Sequence, residues 1–317
     1  MKKSTEHITK PSIPTSILML VGCLLLWLPD LFSPTTDVLW GEMVVSSVVI
    51  KSVCFLLTVT SGWVLSLLFF KLYITRTFDV FTAFVYVFTV SCIPMFHEDV
   101  EAHVCVLLYL CFMSSLMGMY KNPHAVRHAY NSGMLLAVLS LLHNAFMWLF
   151  PIWILGLILQ RAWSLRSFLA SVLGILTTCV LTAWVCYFGK IDIRELWTSW
   201  SIYQWSSDYV VLCEWLVCGV FFLWCVVLLY MRVFDYSIKS RMVMNVMLLL
   251  AVAFFALSLL TGIHTVFVGC SVATCLMFIV QLAHSQYSAR FIWVNLTVYG
   301  LILAVIYICG LSGYGMA

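Results

Sequence analysis

The densest chemistry in the chain lies in seven consecutive residues, His97-Glu98-Asp99-Val100-Glu101-Ala102-His103. Imidazole and carboxylate groups are ligands that Zn, Mn and Mg accept, depending on how many waters remain. On a helix, Asp99 and His103 are four residues apart and share a face; His97 and Glu101 share another. Either pair can hold a divalent ion, or act as a general base and its orienting partner. The spacing is not that of HExxH, and a solvated acidic loop has the same composition. A second group of acids, Asp30, Asp37 and Glu42, lies upstream with no base among them.

Three bases stand near these acids or near the aromatic stretch that follows. Lys51 closes the first acidic segment, where an ammonium at headgroup level can meet a lipid phosphate or simply snorkel. Lys190 and Arg194 open a stretch containing Trp197, Trp200, Tyr203, Trp205, Tyr209 and Trp215. Trp197, Trp200 and Tyr203 recur at helical spacing, as in an interfacial amphipathic helix. That segment reads as an aromatic membrane belt, or as a floor for a sugar or isoprenoid with a base on its phosphate. The candidate catalytic carboxylates are thus Asp37, Glu42, Glu98 and Asp99. The candidate phosphate-binding bases are Lys51, Lys190 and Arg194, and the candidate metal pair is Asp99 with His103.

The elements that must position these groups are membrane helices. Of the 317 residues, 64% are hydrophobic and 9% are charged, against about 25% charged in soluble domains. Apolar runs such as Ser167 to Phe188, Met242 to Leu260 and Phe291 to Gly310 approach or exceed the ~20 residues that cross a bilayer. The fold class is therefore all-α, a polytopic transmembrane bundle of about eleven segments. The expected organisation is a single integral membrane domain over 1–317, with a cytoplasmic tail at 1–12 and the largest outer loop at 189–213. Ile13 to Leu28 follows Lys2, Lys3 and Lys10 but lacks a small-x-small cleavage triplet at Pro29-Asp30, so it reads as a retained first helix. The 13 cysteines lie almost entirely within apolar runs, contain no CxxC pair, and read as small apolar residues.

Charge sorting sets the orientation. Lys and Arg concentrate in cytoplasmic loops. With the N-terminus inside, all of the 16 Lys and Arg except Lys51, Lys190 and Arg194 fall inside. Of the 13 Asp and Glu, all but Glu6, Asp79 and Asp235 fall outside, and the C-terminus ends outside. The stretch Ser132 to Gln160 has basic flanks on both sides, Arg127 before it and Arg161 and Arg166 after. Both flanks then belong to one face, and the stretch must reverse near His143-Asn144 as two short helices. The first outer loop, Pro29 to Lys51, is expected to end in a short interfacial helix over Gly41 to Lys51. Asn245, Gln281 and Asn295 read as helix-to-helix hydrogen bonds.

Several function classes are disfavoured. The chain has no P-loop, GxGxxG or GxSxG. Essentially no acid lies at membrane depth, which argues against a proton-coupled transporter. No internal repeat suggests an inverted-repeat carrier. Net charge is +3 and gives no sign of a nucleic-acid partner.

The segment from Asn131 to Tyr187 reads N-S-G-M-L-L-A-V-L-S-L-L-H-N, an aromatic-rich helix, Gln160-Arg161, then S-L-R-S-F-L-A-S-V-L-G-I-L. This resembles a family of bacterial multi-pass inner-membrane proteins, and its cadence is similar to the membrane module of GT-C-type glycosyltransferases. The resemblance implies an enzyme that takes sugar from polyprenyl phosphate at the outer face, with carboxylates in the first and often the second outer loop. Asp30, Asp37 and Glu42 stand in the first here, and Glu98, Asp99 and Glu101 in the second. The first loop is shorter than in that superfamily and lacks an adjacent acidic pair. The alternatives are a non-catalytic subunit of a cell-envelope complex, with membrane-protein partners, and a small-molecule transporter. The partners otherwise implied are the lipid bilayer and a lipid-linked substrate; a divalent metal is the one cofactor the residues suggest.

Overall fold

A computed structural model describes residues 13–31, 38–40, 43–72, 80–122, 124–189, 209–231, 234, 236–260, 265–283, 285 and 287–314. Among them are eleven α-helices: α1 (Ile13–Leu31), α2 (Ser47–Lys71), α3 (Val80–Ser91), α4 (Val100–Met117), α5 (Val126–Leu142), α6 (Leu149–Leu159), α7 (Leu165–Gly189), α8 (Tyr209–Tyr230), α9 (Ile238–Leu260), α10 (Thr265–Ala283) and α11 (Ala289–Tyr314). Within the described residues, six helices are long and apolar enough to cross a membrane: α2, α4, α7, α9, α10 and α11. Shorter apolar helices account for Leu20–Pro29, Val80–Ser91, Asn144–Leu159 and Leu216–Tyr230. The protein is an all-α, multi-pass membrane type, in which the backbone groups are satisfied inside each helix.

The first interhelical segment differs from expectation. Instead of an interfacial helix over Gly41 to Lys51, β1 (Val38–Trp40) and β2 (Met43–Val45) form an antiparallel hairpin with Val38 opposite Val45 and Trp40 opposite Met43. The next helix starts at Ser47 and runs unbroken to Lys71. Nothing between Ser47 and Ser52 breaks a helix, and Ser47, Ile50, Lys51, Cys54, Thr58 and Ser61 already form one buried stripe at three- and four-residue spacing. Lys51 therefore belongs to a long helix and lies on its buried face.

The chain divides into two compact units. The first comprises 1–104, 208–233 and 275–317; the second comprises 105–207 and 234–274. In the first unit, polar side chains tie apolar helices together. Trp27 Nε1 on α1 donates to Ser91 Oγ on α3 (2.9 Å), and Tyr307 Oη on α11 donates to the Leu26 carbonyl (2.9 Å). Trp224 Nε1 on α8 donates to Asn295 Oδ1 on α11 (3.0 Å), the interhelical role expected of Asn295.

In the second unit, α5 ends at Leu142, His143 is extended, Asn144–Trp148 forms a 3-10 turn, and α6 follows. The expected reversal at His143-Asn144 is present. Two contacts fix it. The Lys121 amide donates to the Gln160 carbonyl (3.1 Å), so the chain returns at the end of α6 to where it stood before α5. Ser171 Oγ donates to the Ala129 carbonyl and Thr178 Oγ1 to the Met134 carbonyl, so α5 and α7 ascend together and run parallel. A Cβ on Gly133 would overlap the Ser171 carbonyl, and one on Gly174 the Tyr130 carbonyl. Ala129, Gly133 and Ala137, four apart on α5, supply the small face that this approach requires.

Candidate functional site

The site is assembled in the first unit at the N-terminal end of α2 and the turn leading into α4. A 3-10 turn at Pro94–Phe96 precedes the acidic run, and Asp99 starts α4 as its cap: Oδ1 accepts from the Ala102 amide at 3.0 Å. This is what a carboxylate three residues ahead of an orphan helix amide commonly does. Glu98, just before the cap, is left turned toward α2.

There Glu98 Oε1 lies 3.2 Å from Lys51 Nζ. The two partners have different surroundings: Lys51 is 2% exposed and Glu98 54%. A buried ammonium thus meets a carboxylate that still reaches the surface. Around it is an apolar cluster of Trp27, Ile50 and Cys54, with Phe55 and Val100 packed against it. Low polarizability there strengthens the attraction between the charges and makes an unpartnered ammonium expensive.

Two buried histidines frame the pair. His97 lies flat on Trp27, ring centroids 3.9 Å apart and planes 28° apart. Its Nε2 is 3.2 Å from the Ser91 carbonyl; a carbonyl only accepts, so Nε2 carries the hydrogen. Ser91 Oγ accepts from the Trp27 N–H and donates to the Val87 carbonyl (2.6 Å). His103 Nε2 donates in the same way to the Phe96 carbonyl (2.9 Å), and Nδ1 lies 3.5 Å from Thr58 Oγ1, which itself donates to Cys54. Both imidazoles thus brace the turn that carries Glu98.

Of the residues singled out in the sequence, the structure brings Lys51 and Glu98 together. Asp99 Oδ1 caps the helix and His103 Nε2 holds a backbone carbonyl; among the described residues no three His, Cys, Asp or Glu form a metal-binding group. Glu101 is exposed on the first turn of α4. Asp37, Glu42, Lys190, Arg194, Trp197, Trp200, Tyr203 and Trp205 lie outside the described residues. No family model, no curated protein and no solved structure matches the chain. Geometry and chemistry alone therefore carry the functional reading.

Sequence reasoning missed Trp27, Ser91 and Thr58. Thr58 had a legible signal, standing seven residues after Lys51 and four after Cys54 on one face of α2. Trp27 and Ser91 come from other helices, and only the packing shows that they bear on His97.

Proposed function

We propose that this chain handles a phosphate-bearing lipid at the Lys51–Glu98 pair, and that its activity is GT-C-like transfer of a sugar from polyprenyl phosphate at the outer face of a bacterial inner membrane. The observation that carries the reading is the asymmetry of the pair: a cation 2% exposed, held at 3.2 Å by a carboxylate 54% exposed. A lipid phosphate can replace the carboxylate on the ammonium, since both are anions of similar hydrogen-bonding geometry. Glu98, released toward solvent, is then free to accept a proton. In the transfer, the acceptor hydroxyl oxygen bonds to the anomeric carbon, the bond from that carbon to the phosphate oxygen breaks, and polyprenyl phosphate leaves with the electron pair. The hydroxyl proton passes to Glu98. The catalytic role of Asp37 and Glu42 and the phosphate-binding role of Lys190 and Arg194, residues outside the described ones, belong to this proposal. The arrangement of about eleven segments with the N-terminus cytoplasmic and the C-terminus outside belongs to this proposal, as does the single membrane domain.

The test uses the purified full chain and undecaprenyl phosphate. Wild type binds it in detergent by native mass spectrometry, Lys51→Met weakens binding at least about tenfold, as expected for removing one charge-assisted contact, and Glu98→Gln keeps binding. Equal binding of undecaprenol and undecaprenyl phosphate, or no effect of Lys51→Met, overturns the reading. A second reading, a non-catalytic subunit of an envelope complex, rests on the end of α7, where Trp184, Tyr187 and Phe188 are all exposed. It takes the lead if lipid phosphate does not bind and the chain co-purifies with a stoichiometric membrane partner that a Trp184→Ser/Phe188→Ser variant loses.

A further inference from the structure

The second unit carries a separate feature. Lys121, His124, Arg127, His128, Arg161 and Arg166 are all exposed. They gather at one end of this unit, on the segments that close α4, open α5, close α6 and open α7. The Lys121 amide to Gln160 carbonyl bond puts Lys121 beside Arg161. The His128 ring stands against Gly118, where an added Cβ would come within 3.0 Å of it, so the first turn of α5 abuts the end of α4. Ser167 Oγ on α7 bonds the Ala162 carbonyl, which holds Arg166 next to the turn of Arg161. Between Glu101 and Asp192 the sequence contains no carboxylate. The cations of this end are therefore not neutralised by acids of their own segment.

Two of these bases occupy backbone positions that ordinarily select glycine. Lys121 (φ 53°) and Arg161 (φ 54°) are the only non-glycine residues with positive φ among those described. At Arg161 the geometry is a Schellman ending: the Ala162 amide donates to the Leu157 carbonyl and the Arg161 amide to the Ile158 carbonyl. Glycine fits such a position without the steric penalty an L side chain meets there. Bases stand at both positions nonetheless. Immediately beside them the surface turns apolar, with Ile158, Trp163, Leu165 and Leu169 exposed. Cations bordered by a tryptophan and exposed aliphatic side chains are the two halves of a phospholipid site, headgroup and acyl chain.

We infer that this end of the second unit is a binding site for an anionic phospholipid, its phosphate held between Lys121, Arg161 and the neighbouring bases and its acyl chain laid along Trp163, Leu165 and Leu169. The Lys121 ammonium already lies over the Tyr120 ring at 5.6 Å, a weak contact that a phosphate readily replaces. The site is independent of the Lys51–Glu98 pair and holds whether or not that pair is catalytic.

The experiment reconstitutes the full chain in nanodiscs doped with a diazirine-bearing phosphatidylglycerol or the matching phosphatidylcholine. After photolysis, adducts are mapped by mass spectrometry. Wild type gives phosphatidylglycerol adducts concentrated on 155–169, and phosphatidylcholine gives few there. Arg161→Gly and Lys121→Gly remove charge at positions where the backbone favours glycine, so the fold is kept. Each lowers phosphatidylglycerol labelling of 155–169 about fivefold at low salt, the factor that corresponds to one base near an anionic headgroup, and leaves phosphatidylcholine labelling unchanged. Arg161→Lys retains most of the wild-type labelling. Equal labelling by the two lipids in wild type overturns the inference, as does a phosphatidylglycerol preference that survives both glycine substitutions. Loss of labelling by both lipids in the glycine variants overturns it as well, since the segment would then be held by packing rather than charge.

Discussion

Replacing Glu98 by glutamine removes the carboxylate opposite Lys51 and keeps its shape. At the observed 3.2 Å, the Coulomb attraction is about 1.3 kcal/mol if the surroundings screen like water and about 5 kcal/mol at an effective dielectric constant of about 20. Glu98 reaches solvent and Lys51 does not, so the coupling falls toward the lower part of that range, about 2 kcal/mol. The two single substitutions should act unequally. Glu98→Gln leaves an ammonium buried with a neutral amide and destabilises by about 2 kcal/mol. Lys51→Met removes the buried charge itself, leaving a carboxylate that solvent can take, and is close to neutral or stabilising. Thermal unfolding of the purified chain in one detergent reads this directly. On the scale of about 2–4 °C per kcal/mol for domains of about 150–250 residues, Glu98→Gln lowers Tm by several degrees, and Lys51→Met does not. In the double variant, Lys51→Met rescues Glu98→Gln. Equal losses in the two single variants, or simple additivity in the double, would refute the argument that burial of the cation makes this pair matter.

Other outcomes follow from the same structure. Gly133→Ala and Gly174→Ala each force apart two helices in backbone contact and should lower stability by about 3 kcal/mol or more, read as loss of the folded fraction in detergent. Asp99→Ala removes the cap of α4 and is expected to destabilise by about 1 kcal/mol, while Asp99→Asn recovers most of it. Arg161→Gly relieves the left-handed strain and should raise Tm slightly, by the equivalent of about 1 kcal/mol. In a background cleared of reactive native thiols, cysteines placed at positions 36 and 193 should label from outside the cell, and those at positions 123 and 237 should not. Outside labelling of position 237 would reverse the proposed orientation.

Much of the helical layout was legible because membrane helices write themselves as long apolar runs, and because bases at both ends of a short run leave little choice but a reversal. The reversal at His143-Asn144 came from Arg127, Arg161 and Arg166 alone. The partnership of Lys51 with Glu98 was legible in part, since charge sorting grouped that base with these acids. What the sequence concealed was burial. Lys51 reads as a headgroup residue, because nothing in its neighbours says that the helix begins at Ser47 and buries that face. The Asp99–His103 spacing suggested a pair able to hold a divalent ion; what it did not show is that Asp99 Oδ1 also caps the helix and His103 Nε2 also holds a backbone carbonyl. Local hydrogen bonds of this kind leave no periodic trace. The small-residue face of α5 is visible as Ala129, Gly133 and Ala137, but its partner, the Ser171 and Gly174 face of α7, is recognised only once the two helices are known to run parallel.

That parallel pair bears on how the chain is made. With 17 and 11 residues, α5 and α6 extend about 26 and 17 Å along their axes, short of the ~30 Å hydrocarbon layer. As they leave the ribosome, neither has a span of its own to hold it in lipid. The surface that receives α5 is the Ser171–Gly174 face of α7, and it is synthesised about 40 residues later. The short hairpin is therefore expected to stay unfastened until the 25-residue α7 arrives. A stop-codon series placed between 160 and 185 would leave the hairpin unfastened and open to cleavage by membrane proteases. Protection would come abruptly, once Thr178 is made and can bond the Met134 carbonyl.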